Sequence, residues 1–493
     1  MRCMTVLRSK LRPPPDSRDA ARGPLSAAPH LARDLSRWQL LAITVGAVVG
    51  ASIYLRPAMV AQQLRDPAAM IAAWVLAGAL SLAGALSYAQ LAARWPKAGG
   101  EYVYLGETIG EPAAFLFGWM RLTVGIAIAA AQASAVIVFI SDLFPLGGSW
   151  LFRSMHVLGV PLSLTIGPRQ VMAVMVIAGL AYLNCRGVGK AGRFQSAVTV
   201  LKVGALASLL AVLFFSGHHS ASAIASVAGE TPGVLGWSAA LLGAMTAFNG
   251  WTLAAMLGGE TRDPERSVPW ALTSGMMVAT ACYLAANVAY LSVLSVTDIA
   301  SGNSAVHPNA PSVASLALTA AVGSHASGLL SAVLALSALG ALHVQLLAIP
   351  RVFFAMAKDG LLPVAFGRLT SSTRAPTRAI VGYAGIASVL ALLGNFDQLS
   401  NMAGFGYLIF YALNGFGLLR LLVRQHKVAA DSRHFDMRRA VVAVFLCGTS
   451  WLLATIVVRG TIEIVSALIL MALGIPVYVF ARRRRGSRSV GSQ

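Results

Sequence analysis

Two stretches of small and polar residues interrupt apolar runs, and together they offer the groups that a zwitterion needs. The first is Gly46-Ala47-Val48-Val49-Gly50-Ala51-Ser52, with Pro57 close behind. The second holds Gly243, then Thr246-Ala247-Phe248-Asn249-Gly250-Trp251, then Gly258-Gly259. A continuous helix in lipid satisfies its own backbone, so irregular backbone at that depth survives only where it lines a cavity. Where a helix resumes, its free N–H groups carry partial positive charge and suit a carboxylate. Carbonyls freed at the end of the preceding half suit an ammonium, and an α-amino acid presents both groups close together. Small residues also allow close helix packing. Two such segments at equivalent places in two halves of a chain favour a binding site.

Ionisable residues inside apolar runs are costly and are functional candidates by default. Lys202 lies well inside its run, roughly 10 Å along a helix at about 1.5 Å per residue. Asp142, Glu260, Asp298, Asp397 and Glu463 all lie near run ends, so none pairs with it from mid-run. The remaining partners are carbonyls of the broken first run, and an amine there can exchange protons; snorkelling to the nearer face is the plainer alternative. Arg56 can recognise a second negative group, join an external gate or snorkel outward. Arg121 reads as structural, reaching the nearer interface. His343 is a candidate proton relay or a partner in an interhelical hydrogen bond. There is no H-E-x-x-H motif, carboxylate pair or nucleophile–base arrangement, so neither an enzyme, a metal nor a cofactor is expected. Cys3, Cys185, Cys282 and Cys447 are scattered and carry no evident chemistry.

These residues need a membrane-embedded scaffold. Charged residues make up 11% of the chain and hydrophobic ones 57%, whereas a soluble domain is about a quarter charged. Hydropathy gives twelve spans: 38–62, 68–93, 112–142, 169–185, 194–216, 233–258, 267–295, 325–356, 377–395, 398–423, 439–458 and 460–481. The 112–142 and 325–356 runs exceed one bilayer thickness, which predicts tilt or cytosolic extension. A net charge of +20 would suggest nucleic acid in a soluble protein. Here the basic residues sit between spans and at both ends. With the N-terminus inside, cytosolic segments carry Arg186, Lys190, Arg193, Arg262, Arg266, Arg351, Lys358, Arg368, Arg374, Arg378 and a group from Arg420 to Arg439. External segments carry only Arg65, Arg153, Arg169 and Arg459. That asymmetry places both termini in the cytosol of a multi-pass cell-membrane protein, with lipid and not nucleic acid as its macroscopic partner. Residues 1–36 read as a disordered cytosolic tail, with an Arg-rich transit peptide as the alternative.

Six motifs in order carry a family resemblance. They are Gly50-Ala51-Ser52-Ile53-Tyr54 with Pro57, then Trp95-Pro96-Lys97-Ala98-Gly99-Gly100-Glu101-Tyr102-Val103-Tyr104, then Asn184-Cys185-Arg186-Gly187-Val188 with Gln195, Thr199 and Lys202. Phe248-Asn249-Gly250-Trp251 with Glu260, Pro264-Glu265 and Pro269 follows, then Asn287-Val288-Ala289-Tyr290-Leu291, and the run from Pro350 to Pro363. From about Leu35 to Arg424 the chain resembles the amino acid–polyamine–organocation superfamily of permeases, nearest its L-type amino acid transporter branch.

The resemblance implies an all-α membrane fold whose ten core helices form a five-plus-five inverted repeat, with helices 1 and 6 broken. It implies a core at 37–425 (repeats 38–216 and 233–423), two further helices at 426–481 and a basic tail at 482–493. It also implies alternating access around an amino acid held between the breaks. The carboxylate site then falls on Gly50, Ala51 and Ser52, with Val48 lining the pocket, and the amine site on the carbonyls of Thr246, Ala247 and Asn249. Phe248 and Gly250 complete the substrate set. Lys202 resembles a tethered cation that couples the cycle, with Arg56 and His343 as further candidates. Three departures stand out: Ser52 replaces a glycine, Thr246 falls on the gating aromatic's position with Phe248 two residues on, and His343 falls on the usual asparagine. The expected function is a proton-coupled amino acid symporter or an exchanger. An amino acid sensor, or a permease for polyamines or other organocations, is the alternative.

Overall fold

The computed structural model describes residues 30–157, 160–216, 233–304, 306–307, 310–323, 327–393, 396–426, 433–459 and 462–490. The expected tail before residue 30, the 217–232 segment and the last three residues lie outside the described residues. The first apolar run forms two helices, α1 (Arg37–Val48) and α2 (Ser52–Leu64), which meet at 43°. Ser36 starts α1 with a capping box, its hydroxyl accepting the Gln39 N–H while the Gln39 side chain accepts the Ser36 N–H. Helix α3 (Pro67–Arg94) begins on an Asp66 cap with proline at its first position.

A short helix, α4 (Glu101–Thr108), precedes α5 (Glu111–Thr123) and α6 (Ala127–Leu143). Two strands, β1 (Leu151–Val157) and β2 (Val160–Ile166), form an antiparallel hairpin with Leu151 opposite Ile166. Helices α7 (Pro168–Cys185) and α8 (Val188–Phe215) close the first half. Helix α9 (Val234–Ala247) gives way to 3-10 turns at Trp251–Met256 and Gly258–Glu260. Then come α10 (Pro264–Val293), α11 (Val296–Ala300), α12 (Val313–Val322), α13 (Ser327–Ala348) and α14 (Pro350–Lys358). The chain ends with α15 (Thr377–Leu393), α16 (Phe396–His426), α17 (Arg433–Arg459), α18 (Ile462–Ala472) and α19 (Gly474–Val490).

Among the described residues nine helical segments are long and apolar enough to cross a membrane, and the bent α1–α2 pair makes up to ten. The expected spans at 233–258 and 377–395 correspond to shorter apolar helices, Val234–Ala247 and Thr377–Leu392. The two over-long runs each contain a turn, at 124–126 and at Ile349. Pro350, which has no N–H to offer the preceding turn, accounts for the second. The basic residues Arg482 to Arg485 lie on α19, so the helix carries on into the segment expected as a tail. The hairpin and helix α12, buried on one face, have no counterpart in the hydropathy reading.

Helix α10 packs chiefly on α3 and α1, α13 on α6, and α9 on α2. The face bearing the basic loops is drawn together by main chain. The Leu35 N–H donates to the Glu260 carbonyl at 3.0 Å, and the Arg262 N–H donates to the Leu35 carbonyl at 2.9 Å. Gly99 N–H donates to the Met256 carbonyl at 3.0 Å. Gly100 has φ +48, and a Cβ there would lie 2.8 Å from the Met256 nitrogen, so this contact requires glycine. On the same face the Tyr102 hydroxyl donates to Asp359 Oδ2 at 2.7 Å. Burial, and then that carboxylate, pushes the Tyr102 proton affinity well above its ordinary value.

Candidate functional site

The two breaks lie against each other. Gly250 has φ +114, and a Cβ there would stand 2.8 Å from the Ala47 carbonyl oxygen, so the backbones meet with no side chain between them. Tyr283, on α10, ties the halves together: its hydroxyl reaches the Val48 carbonyl at 2.6 Å and the Ala247 carbonyl at 2.8 Å. These are orphan carbonyls at the ends of α1 and α9. Trp74 and Phe248 pack edge-on or tilted against the Tyr283 ring, with centroids 5.6 and 4.8 Å away.

The expected substrate residues gather here, with unequal freedom. The N–H groups of Ala51 and Ser52, at the start of α2, have no acceptor among the described residues, and both residues are half-buried. Gly50 and Val48 are buried. The Ala247 carbonyl already accepts from Tyr283, and the Thr246 carbonyl accepts the Asn249 N–H at 3.4 Å. Two of the three carbonyls expected for an ammonium are therefore engaged already. Thr246 is exposed and Phe248 is buried beside Trp74.

Lys202 is 1% exposed, and its Nζ donates to the Gly46 carbonyl at 2.5 Å. It does not snorkel. It places a cation on the last turn of α1, where freed carbonyls and the helix dipole favour positive charge. Thr199, one turn earlier on α8, donates to the Ala42 carbonyl at 2.9 Å. His343 Nδ1 lies 2.8 Å from Gln195 Oε1, linking α13 to α8 in a buried contact. That is the interhelical hydrogen bond of the simpler reading. Arg56 is half-buried on α2, with Nη1 2.8 Å from Met59 Sδ.

Arg121 does not reach an interface either. It is 3% exposed and paired with Glu101 at 3.0 Å, with its guanidinium 4.2 Å from the centre of the Tyr407 ring. Tyr88 donates to the other Glu101 oxygen at 2.9 Å. A second buried pair joins Arg351 to Glu260 through two bonds of 2.6 and 2.9 Å, while Arg351 Nη1 also donates to the Leu347 carbonyl. Nothing in the sequence marks Tyr283, whose carbonyl partners lie 235 and 36 residues away. Glu101 and Glu260 did stand inside quoted motifs, and a carboxylate beside glycines was the one available signal.

Tyr283→Phe removes the hydroxyl that joins both breaks and leaves the ring packing intact. About one hydrogen bond's net contribution, roughly 1–1.5 kcal/mol, is expected to weaken substrate binding about tenfold at unchanged folded yield. Equal binding isotherms for parent and variant would remove Tyr283 from the site.

The model of a family described as amino acid permease matches residues 35–479. The chain is 28% identical over 450 residues to the serine/threonine exchanger SteT of Bacillus subtilis (strain 168), covering 91% of this chain and 96% of that protein. It is 24% identical to the human cystine/glutamate transporter, covering 91% and 85%. It is 26% identical to the Asc-type amino acid transporter 1 of Mus musculus, covering 88% and 78%.

Proposed function

This chain belongs to the amino acid permease family, and from that premise we propose that it moves amino acids by alternating access, as a proton-coupled symporter or an exchanger. It is a multi-pass membrane protein and a transporter, not an enzyme. The observation that carries the reading is the pairing of the two helix breaks. At that junction the acceptor-free N–H groups of Ala51 and Ser52 lie beside carbonyl ends close enough for one hydroxyl to bridge. Such a junction offers donors for a carboxylate and acceptors for an ammonium. The names of the relatives point to amino acids as the class of substrate. The Lys and Arg distribution supports both termini facing the cytosol of a cell membrane.

The test is uptake of radiolabelled amino acids into proteoliposomes, paired with one variant. Ala51→Leu puts a bulky side chain beside the N–H groups and is expected to abolish binding while the protein still inserts and folds. Normal affinity at normal folded yield would remove the carboxylate site from 50–52. A parent protein that moves no amino acid in any gradient or counterflow would end the reading.

A further inference from the structure

Asn249 sits in the turn after α9, and its carboxamide is held in one orientation. The Gly250 N–H lies 3.0 Å from Asn249 Oδ1. A backbone N–H can only donate, so that atom must be the carbonyl oxygen and the amide cannot be flipped. The Tyr411 hydroxyl, from α16, donates to the same oxygen at 2.9 Å. Tyr411 is 6% exposed and clasped by Trp251, Tyr88 and Phe445, with ring centroids 5.6 to 6.3 Å away. Both bonds fall on Oδ1, so the Nδ2 amide points elsewhere, and it has no acceptor among the described residues. The nearby Thr246 hydroxyl donates to the Gly243 carbonyl at 2.7 Å and is not free to donate. Asn249 is half-buried and directly precedes Gly250, the residue whose backbone meets Ala47.

We propose that Asn249 Nδ2 is a specificity-determining donor, which selects neutral amino acids carrying an acceptor oxygen on a short side chain, a hydroxyl or carboxamide. Tyr411 is the positioning residue that aims it. This deepens the transporter reading above and rests on it. An apolar substrate of the same shape leaves the amide donor without a partner in a partly dehydrated site, and that loss is what discriminates. A side-chain carboxylate would call for a cation; Phe248, Trp251 and Tyr411 around Asn249 supply none, and Arg121 behind Tyr411 is already paired with Glu101.

The experiment uses the full chain in lipid nanodiscs and two pairs of radiolabelled ligands of matched shape. These are L-threonine with L-valine, and O-methyl-L-serine with L-norvaline; the ether oxygen can only accept. In each pair the parent is expected to bind the oxygen-bearing member about tenfold tighter, one hydrogen bond's worth. Asn249→Asp keeps the size and the acceptor for Gly250 and Tyr411 but removes the donor. It should bring the O-methylserine to norvaline ratio to about one, and that ratio is the readout because the new carboxylate acts on both ligands alike. Tyr411→Phe should lower the same ratio part of the way. A parent that binds amino acids without preferring either oxygen-bearing ligand overturns the inference and leaves the transporter reading standing. So does Asn249→Asp with the parental ratio. Should Asn249→Asp not fold, Tyr411→Phe decides, and a parental ratio there counts against the proposal. If the parent binds no member of a full amino acid panel, the transporter reading itself has failed.

Discussion

Lys202→Ala is expected to lower substrate affinity or turnover by about 30- to 150-fold, the equivalent of roughly 2–3 kcal/mol. The ammonium donates to the Gly46 carbonyl at 2.5 Å from a fully buried position. Without it the last turn of α1 keeps an unpaired carbonyl and loses the cation that its dipole favours. Alanine also opens space against Gly340, where a Cβ would lie 3.3 Å from Nζ. The half-helix that leads into the junction of the two breaks is then free to take other positions. Two assays separate the coupling modes. In a symporter, Lys202→Ala abolishes pH-gradient-driven uptake and spares some counterflow, because the proton moves through the amine and biases the two facing states. In an exchanger there is no pH-gradient-driven uptake to lose, and counterflow alone falls through affinity or turnover. If the variant matches the parent in both, Lys202 only fills a buried space.

Arg351→Leu and Glu260→Leu should each destabilise the folded protein by about 3–5 kcal/mol, the cost of leaving one partner of a buried ion pair alone. Both side chains are at most 1% exposed, and the pair is bidentate. Replacing both at once, as Glu260→Leu with Arg351→Met, should cost much less than the sum, since no buried charge remains. Thermal unfolding of purified protein in detergent reads all three. Single variants with the parental midpoint, or a double variant with the summed loss, would show that the pair does not hold this region. The position suggests a second consequence. Glu260 is the residue whose carbonyl accepts the Leu35 N–H, so either single variant is expected to loosen the main-chain closure at the entrance to α1. Faster amide hydrogen exchange at Leu35 and Arg262 would report it.

Local patterns in the sequence revealed the helix breaks and little of what surrounds them. Gly46 to Ser52 and Thr246 to Trp251 mark the interruptions because small residues and glycines cluster there within apolar runs. Lys202 was visible as a lone mid-run charge, and its carbonyl partner followed by elimination. Arg121 misled for the same reason: its distance along one helix suggested an interface, while its partner Glu101 comes from a different helix. Glu260 and Arg351 are 91 residues apart, and Tyr283 and Val48 are 235 apart. No period in a single sequence encodes such pairings. The turn at 124–126 escaped because hydropathy measures apolarity and not backbone direction.

The contact of Gly250 with Ala47 also bears on how this protein can diversify. Any other residue at 250 would bring a Cβ within 2.8 Å of a carbonyl oxygen at a φ of +114, so every amino-acid change there is closed by geometry. Asn249, one position earlier, is half-buried and meets Tyr411 only through its side chain. Neighbouring positions thus differ sharply in mutational freedom. A change at 249 alters a side-chain bond to Tyr411, while position 250 beside it has no alternative to glycine.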